Sequence, residues 1–164
     1  MSGAADWVWL HASALVVGEA GIVVRGASGA GKSALTLALL ALAQERKLFA
    51  ALIGDDRVGI AARGGRIVAR GAPNARGLIE RRGFGIVAAQ AEACAVVRLV
   101  VDLLSEARGA RLPEDEERVA DLSGIALPRL VFGAESAAIE RGFAILARLD
   151  KIGDKIMTDA AHFA

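Results

Sequence analysis

Gly26-Ala-Ser-Gly-Ala-Gly-Lys-Ser33 decides the reading of this chain: it matches G-x-x-x-x-G-K-[ST] in full and opens directly out of the apolar run Gly21-Ile-Val-Val-Arg25. A strand, a glycine-rich loop and a helix in that order predict a phosphate-binding loop. Its glycines let the backbone N–H groups of Gly26, Ala27, Ser28, Gly29, Ala30 and Gly31 converge on phosphate oxygens. Lys32 then meets the β and γ phosphates, and the Ser33 hydroxyl takes a place on Mg²⁺. The helix that starts there adds the positive end of its dipole to the same spot.

Working outward, the chain reads as α/β, a mixed sheet with hairpins and flanking helices. Val16-Val17 and Ile22-Val-Val24 flank Gly18-Glu-Ala-Gly21, a hairpin that feeds the loop. From Ser33 to about Glu45 alanine and leucine occupy every face, which predicts a helix sandwiched inside the domain. Phe49-Ala-Ala-Leu-Ile53 reads as a short buried strand ending at Gly54-Asp-Asp56. A second hairpin is expected over Val58 to Ala62 and Arg66 to Ala69, turning at Arg63-Gly-Gly65. Gly71-Ala-Pro-Asn74 breaks that pattern, and Leu78-Ile-Glu80 leads into Gly83-Phe-Gly85, where backbone can approach a ligand. Ala95-Val-Val-Arg-Leu-Val-Val101 is the strongest strand of the second half. Charges and a proline between Ser105 and Asp121 predict a solvated, mobile loop, and Ala134 to Leu149 has helical spacing with Ala138, Ile139, Phe143, Ile145 and Leu146 available for burial.

Composition sets the limits. With 164 residues the chain is expected to be one domain, residues 1–164. A net charge of +1 argues against a nucleic-acid binder that relies on a general basic surface. The start Met1-Ser-Gly-Ala-Ala-Asp-Trp7 lacks the basic and apolar blocks of a secretory signal, and no apolar run reaches the length of a membrane span, so a cytoplasmic location is expected. The single cysteine, Cys94, lies beside a Val-rich run and is expected to be buried and inert.

A phosphate loop alone binds nucleotide; transfer also needs a metal shell and a group that activates the nucleophile. Asp55 and Asp56, at the end of a buried strand, are the first candidates for holding Mg²⁺ and for taking a proton. Neighbours on an extended strand point to opposite faces, so the two divide these roles unless the chain turns there. Glu80, Arg81 and Arg82 read equally as surface charges or as phosphate and metal contacts. His11 follows Trp7-Val-Trp-Leu10 and reads as a packed histidine; His162, near the end, is expected to fray.

The order of these blocks resembles the HPr kinase/phosphorylase family. His11-Ala-Ser13, Gly26 to Ser33, Asp55-Asp-Arg-Val58 and Glu80-Arg-Arg-Gly-Phe-Gly-Ile86 match the family's histidine, its G-x-S-G-x-G-K-S loop, its D-D-x-V strand end and its E-x-R-G-x-G-I segment. Arg111-Leu-Pro-Glu114, Gly124-Ile-Ala-Leu-Pro128 and Glu135-Ser-Ala-Ala138 resemble a short form of the family without its N-terminal domain. The resemblance implies a catalytic domain of the PEP-carboxykinase-like kind, with ATP and Mg²⁺ as cofactors and the phosphocarrier protein HPr as the partner phosphorylated on serine. It further implies a reverse reaction in which inorganic phosphate removes that phosphate as pyrophosphate. Carried over residue by residue, it makes Asp55 the base that takes the serine proton, with His11 beside it. Lys32 neutralises phosphate, Ser33, Asp56 and Glu80 hold Mg²⁺, and Arg82 contacts phosphate. Ala34 stands where the family often has an acidic residue, and Arg81 where it usually has an apolar one. Longer members form rings, which leaves a homo-oligomer open. A small-metabolite kinase and a non-catalytic nucleotide sensor share the loop and remain alternatives.

Overall fold

A computed structural model describes residues 6–108 and 112–161, with side chains as far as residue 154. Arg111 and His162 therefore lie outside the described residues. The elements run β1 (Val8–Leu10), β2 (Ala12–Val17), β3 (Ala20–Gly26), α1 (Lys32–Glu45), β4 (Ala50–Gly54), β5 (Val58–Arg63), β6 (Arg66–Gly71), β7 (Leu78–Arg81), β8 (Gly85–Ala88), β9 (Cys94–Leu103), β10 (Val119–Leu122), β11 (Ile125–Phe132) and α2 (Ala138–Ala161). Both hairpins read from the sequence form. β2 and β3 pair antiparallel from Ala12↔Arg25 to Val17↔Ala20, and β5 and β6 pair from Val58↔Gly71 to Arg63↔Arg66.

Among the described residues nine strands join one mixed sheet, in the order β1-β5-β6-β9-β3-β2-β4, with β11 also on β9 and β10 on β11. β9 is the spine. It runs parallel to β3 and β11 and antiparallel to β6. Its ten residues contact both layers of the core: Val100 faces one cluster and Leu99 and Val101 the other, as alternation on a strand requires, while Val97 joins Val100's side across a register shift against β3. Ala12, Ala14 and Val16 of β2 join Ile53, Val58, Ile60 and Ile67 inside the curl of the sheet. Leu15 and Val17, facing the other way, meet Leu35 and Leu39 of α1 and Ile145 and Leu146 of α2. Helices thus cover one face while the sheet closes on itself to bury the other.

That closure brings β4 against β6 at two glycines. A Cβ on Gly71 would collide with the Ile53 carbonyl oxygen, and one on Gly54 would lie 2.9 Å from Gly71 Cα. Only bare backbone fits at this crossing. β4 ends here, so the crossing fixes where Asp55 and Asp56 leave the sheet.

Four expectations change. α1 buries Leu35, Thr36, Leu39, Leu42 and Ala43 on the sheet and α2 side but exposes Ala34 and Ala41, so it is covered on two sides and is not sandwiched all round. The segment expected to be a mobile loop, Ser105 to Asp121, ends in the first three residues of β10, and β11 follows it; their pairing supplies the backbone partners that the charged sequence concealed. Pro128 sits inside β11 where the strand changes partner, from β10 at Pro128↔Val119 to β9 at Arg129↔Val100. Cys94 is exposed at the outer end of β9, beyond the apolar run that suggested burial. α2 runs on to Ala161, and of its expected apolar face Ile145 and Leu146 are buried while Ile139 and Phe143 are exposed.

Candidate active site

β3 delivers the chain to Gly26, and the loop that follows turns with φ of +83° at Gly29 and +98° at Gly31, values glycine adopts without steric cost. The Ala30 N–H closes a turn on Ala27 O at 3.0 Å. Gly31 caps α1, with no side-chain cap and no acidic residue in the first turn. The exposed Ala34 is part of that neutrality. The first amides of α1 therefore keep their donors for an outside acceptor. Lys32 is buried and folds back over its own loop, its ammonium donating to Gly26 O at 2.9 Å and Ala27 O at 3.1 Å.

Opposite the loop, β4 ends in a tight three-residue turn in which the Arg57 N–H bonds Asp55 O at 2.7 Å. Asp56 sits at its apex with φ +60°, a region few non-glycine residues enter, aspartate among the more tolerant. The chain does turn between the two aspartates, and it separates their surroundings. Asp55 accepts the Ser13 hydroxyl at 2.6 Å, the Ser33 hydroxyl at 3.0 and 3.1 Å, and the Glu80 N–H at 3.3 Å. Asp56 lies instead beside His11, with Nε2 to Oδ1 at 3.6 Å, both side chains well exposed. The resemblance puts His11 next to Asp55; the contact formed is with Asp56, and His11 is exposed on the cavity and not packed as its apolar neighbours suggested.

β7 and β8 form a separate hairpin, Leu78↔Ala88 to Arg81↔Gly85, that overhangs the loop. Arg82 reaches Gly29 closely enough that a Cβ there would lie 3.8 Å from its Nη1. Arg81 stacks over the Phe84 ring at 4.6 Å. Together these elements wall a cavity of about 310 Å³ lined by His11, Ser28, Gly29, Gly31, Lys32, Ser33, Ala34, Asp56, Glu80, Arg81 and Arg82. Larger cavities, of about 480 and 560 Å³, lie elsewhere and contain none of these groups. Of the residues marked in the sequence, Asp55, Gly26, Ala27 and Ala30 stand behind this lining. Sequence reading assigned no role to Ser13; its signal was a lone hydroxyl among the apolar residues of Ala12–Val17, where it is fully buried.

No three of the described His, Cys, Asp and Glu residues converge as a metal cage. Mg²⁺ does not need one, since it keeps waters and takes one or two carboxylates together with substrate phosphates. The hard oxygens of Ser33, Asp56 and Glu80 on one cavity suit it.

A second aspartate stands at the neighbouring strand end. Asp102 of β9 pairs in register with Arg25 of β3 and accepts its Nε and Nη2 at 2.7 Å each, and Arg129 Nε at 2.5 Å. Burial pushes the Asp102 carboxyl up, but the hydrogen bonds and charges of Arg25 and Arg129 outweigh it and hold it below its ordinary 3.8.

The model of the HPr serine kinase C-terminal domain matches residues 4–128. An HPr kinase/phosphorylase of Mycoplasma mycoides subsp. mycoides SC is 38% identical over 76 residues, 46% of this chain and 22% of that protein's length. The chain thus aligns with under a quarter of that relative. The solved Hpr(Ser) kinase/phosphatase from Coxiella burnetii superposes with a TM-score of 0.69 at 21% identity, covering 89% of this chain and 99% of the other, which shows a shared fold. With the family model covering most of its length, this chain belongs to the HPr serine kinase C-terminal domain family.

Proposed function

We propose that the chain is an ATP- and Mg²⁺-dependent kinase domain, cytoplasmic, that phosphorylates a serine of HPr and returns that phosphate to inorganic phosphate. One observation carries the reading: Lys32 and Ser33, Asp56 with His11, and Glu80 with Arg82 come from four separate segments and face one cavity. The loop amides and Lys32 take the β and γ phosphates, with Arg82 closing over them from the hairpin. Ser33 and Glu80 supply oxygens to Mg²⁺, which when bound offsets phosphate charge. The base is Asp56 and not Asp55. Asp55 is engaged by three donors behind the lining, whereas Asp56 faces the cavity with His11 beside it. Asp56 takes the seryl proton as the seryl oxygen bonds to the γ phosphorus and the bond to ADP breaks. In reverse, phosphate attacks the phosphoserine, the seryl oxygen leaves with the proton from Asp56, and pyrophosphate forms.

Incubation with Mg-ATP and HPr should place one phosphate on a serine, located by mass spectrometry. Asp56→Asn should lower that transfer by roughly 10²- to 10⁴-fold while nucleotide still binds. Phosphate appearing on a small molecule and not on HPr would overturn the reading of the substrate. Transfer that survives Asp56→Asn would return the role of base to Asp55.

A further inference from the structure

Ser13 has no part in the reaction as described, yet it is fully buried and donates the shortest hydrogen bond to Asp55, 2.6 Å, across the sheet from β2. A serine hydroxyl has one proton to give and two lone pairs. Ser33 faces Asp55 at 3.0 and 3.1 Å and lines the cavity, while Asp55 does not. If Ser33 gives its proton to Asp55, its lone pairs are left for the cavity, where a cation would use them. That arrangement holds only while the carboxylate keeps its place. Two of the donors around Asp55 ride on elements that border the cavity, Ser33 on α1 and Glu80 on the overhanging hairpin. The third comes from the core: β2 is buried along its whole length and paired on both sides, with β3 and β4.

We propose that Ser13 is a positioning residue for the metal: its buried hydroxyl fixes Asp55, and Asp55 in turn directs the Ser33 oxygen toward the cation. The inference rests on the Mg-nucleotide reading of the cavity given above. It is separate from the choice of base and of acceptor protein, because it concerns binding alone.

Binding of a fluorescent ATP analogue is titrated with Mg²⁺, and its affinity is also measured in EDTA, for the wild-type chain and for Ser13→Ala, Ser13→Thr and Asp55→Asn. Ser13→Ala should raise the half-saturating Mg²⁺ concentration about tenfold, the loss typical when a group supporting a metal ligand is removed, and leave the EDTA affinity unchanged. Ser13→Thr, which keeps the hydroxyl, should restore most of it. Adding Ser13→Ala to Asp55→Asn should shift it no further, since the serine acts through the aspartate. A serine that only fills its site would lower thermal stability and weaken both affinities alike; that result, or an unshifted Mg²⁺ titration, overturns the inference while leaving the cavity's function intact. Wild-type binding indifferent to Mg²⁺ would overturn the cavity reading and the inference with it. Should Ser13→Thr misfold, the double variant with Asp55→Asn decides the matter alone.

Discussion

Asp55 and Asp102 both lie near strand ends beside the Gly26–Ser33 loop, and both have their oxygens well satisfied, but by opposite kinds of donor. Asp102 is answered by two guanidinium groups. Asp55 is answered by two hydroxyls and a backbone amide, and no basic side chain forms an ion pair with it among the described residues. Lys32, the cation of the phosphate loop, donates instead to loop carbonyls. The first arrangement closes its charge account within the protein and serves as a brace between β3, β9 and β11. The second is held by neutral donors alone, which suits the proposed Mg²⁺ site beside it.

The largest effect should come from breaking the brace. Asp102→Ala strands Arg25 and Arg129 together in a partly buried place and should cost about 3 kcal/mol, read by urea denaturation, with nucleotide affinity nearly unchanged in the folded fraction. A loss below about 1 kcal/mol would mean that the two arginines find water, and the contrast would weaken. Asp55→Asn should do the reverse. Its amide nitrogen turns a donor toward Ser33 or Glu80, so the Mg²⁺ needed for nucleotide binding should rise roughly 10- to 100-fold, while stability falls by about 1 kcal/mol. The smallest effect is in acid. Folding lowers the pKa of Asp102, so its contribution is present above its ordinary 3.8 and is lost as pH falls from there through the depressed folded value. Denaturation midpoints taken between pH 5 and 2.5 should therefore drop less steeply in Asp102→Asn than in the wild type; parallel curves would remove Asp102 from the acid response.

The loop, both glycine-turned hairpins and the spine strand were legible because each depends on local signals: a motif, a turn, a run of β-branched residues. β10 and β11 were not, since charged neighbours and Pro128 hide a pairing that exists only once β9 is in place. The same limit applies to the site. Lys32, Ser33, Asp55, Asp56 and Glu80 could be marked from sequence, but which aspartate stands beside His11 depends on a three-residue turn with φ +60° at Asp56, and local pattern does not encode that. Ser13 was invisible for a related reason. Its partner is 42 residues away, and only the β2–β4 pairing joins them.

The crossing at Gly54 and Gly71 makes the acidic corner of the cavity hostage to a residue that contributes no chemistry. One methyl group at position 71 would wedge the Ile53 carbonyl away from β6 and swing the end of β4, and with it both aspartates, relative to the loop. Tolerance to substitution should thus run opposite to chemical interest here: an exposed arginine of the hairpin can be exchanged with local effects, while the plainest residue in the chain cannot be exchanged at all without moving the site.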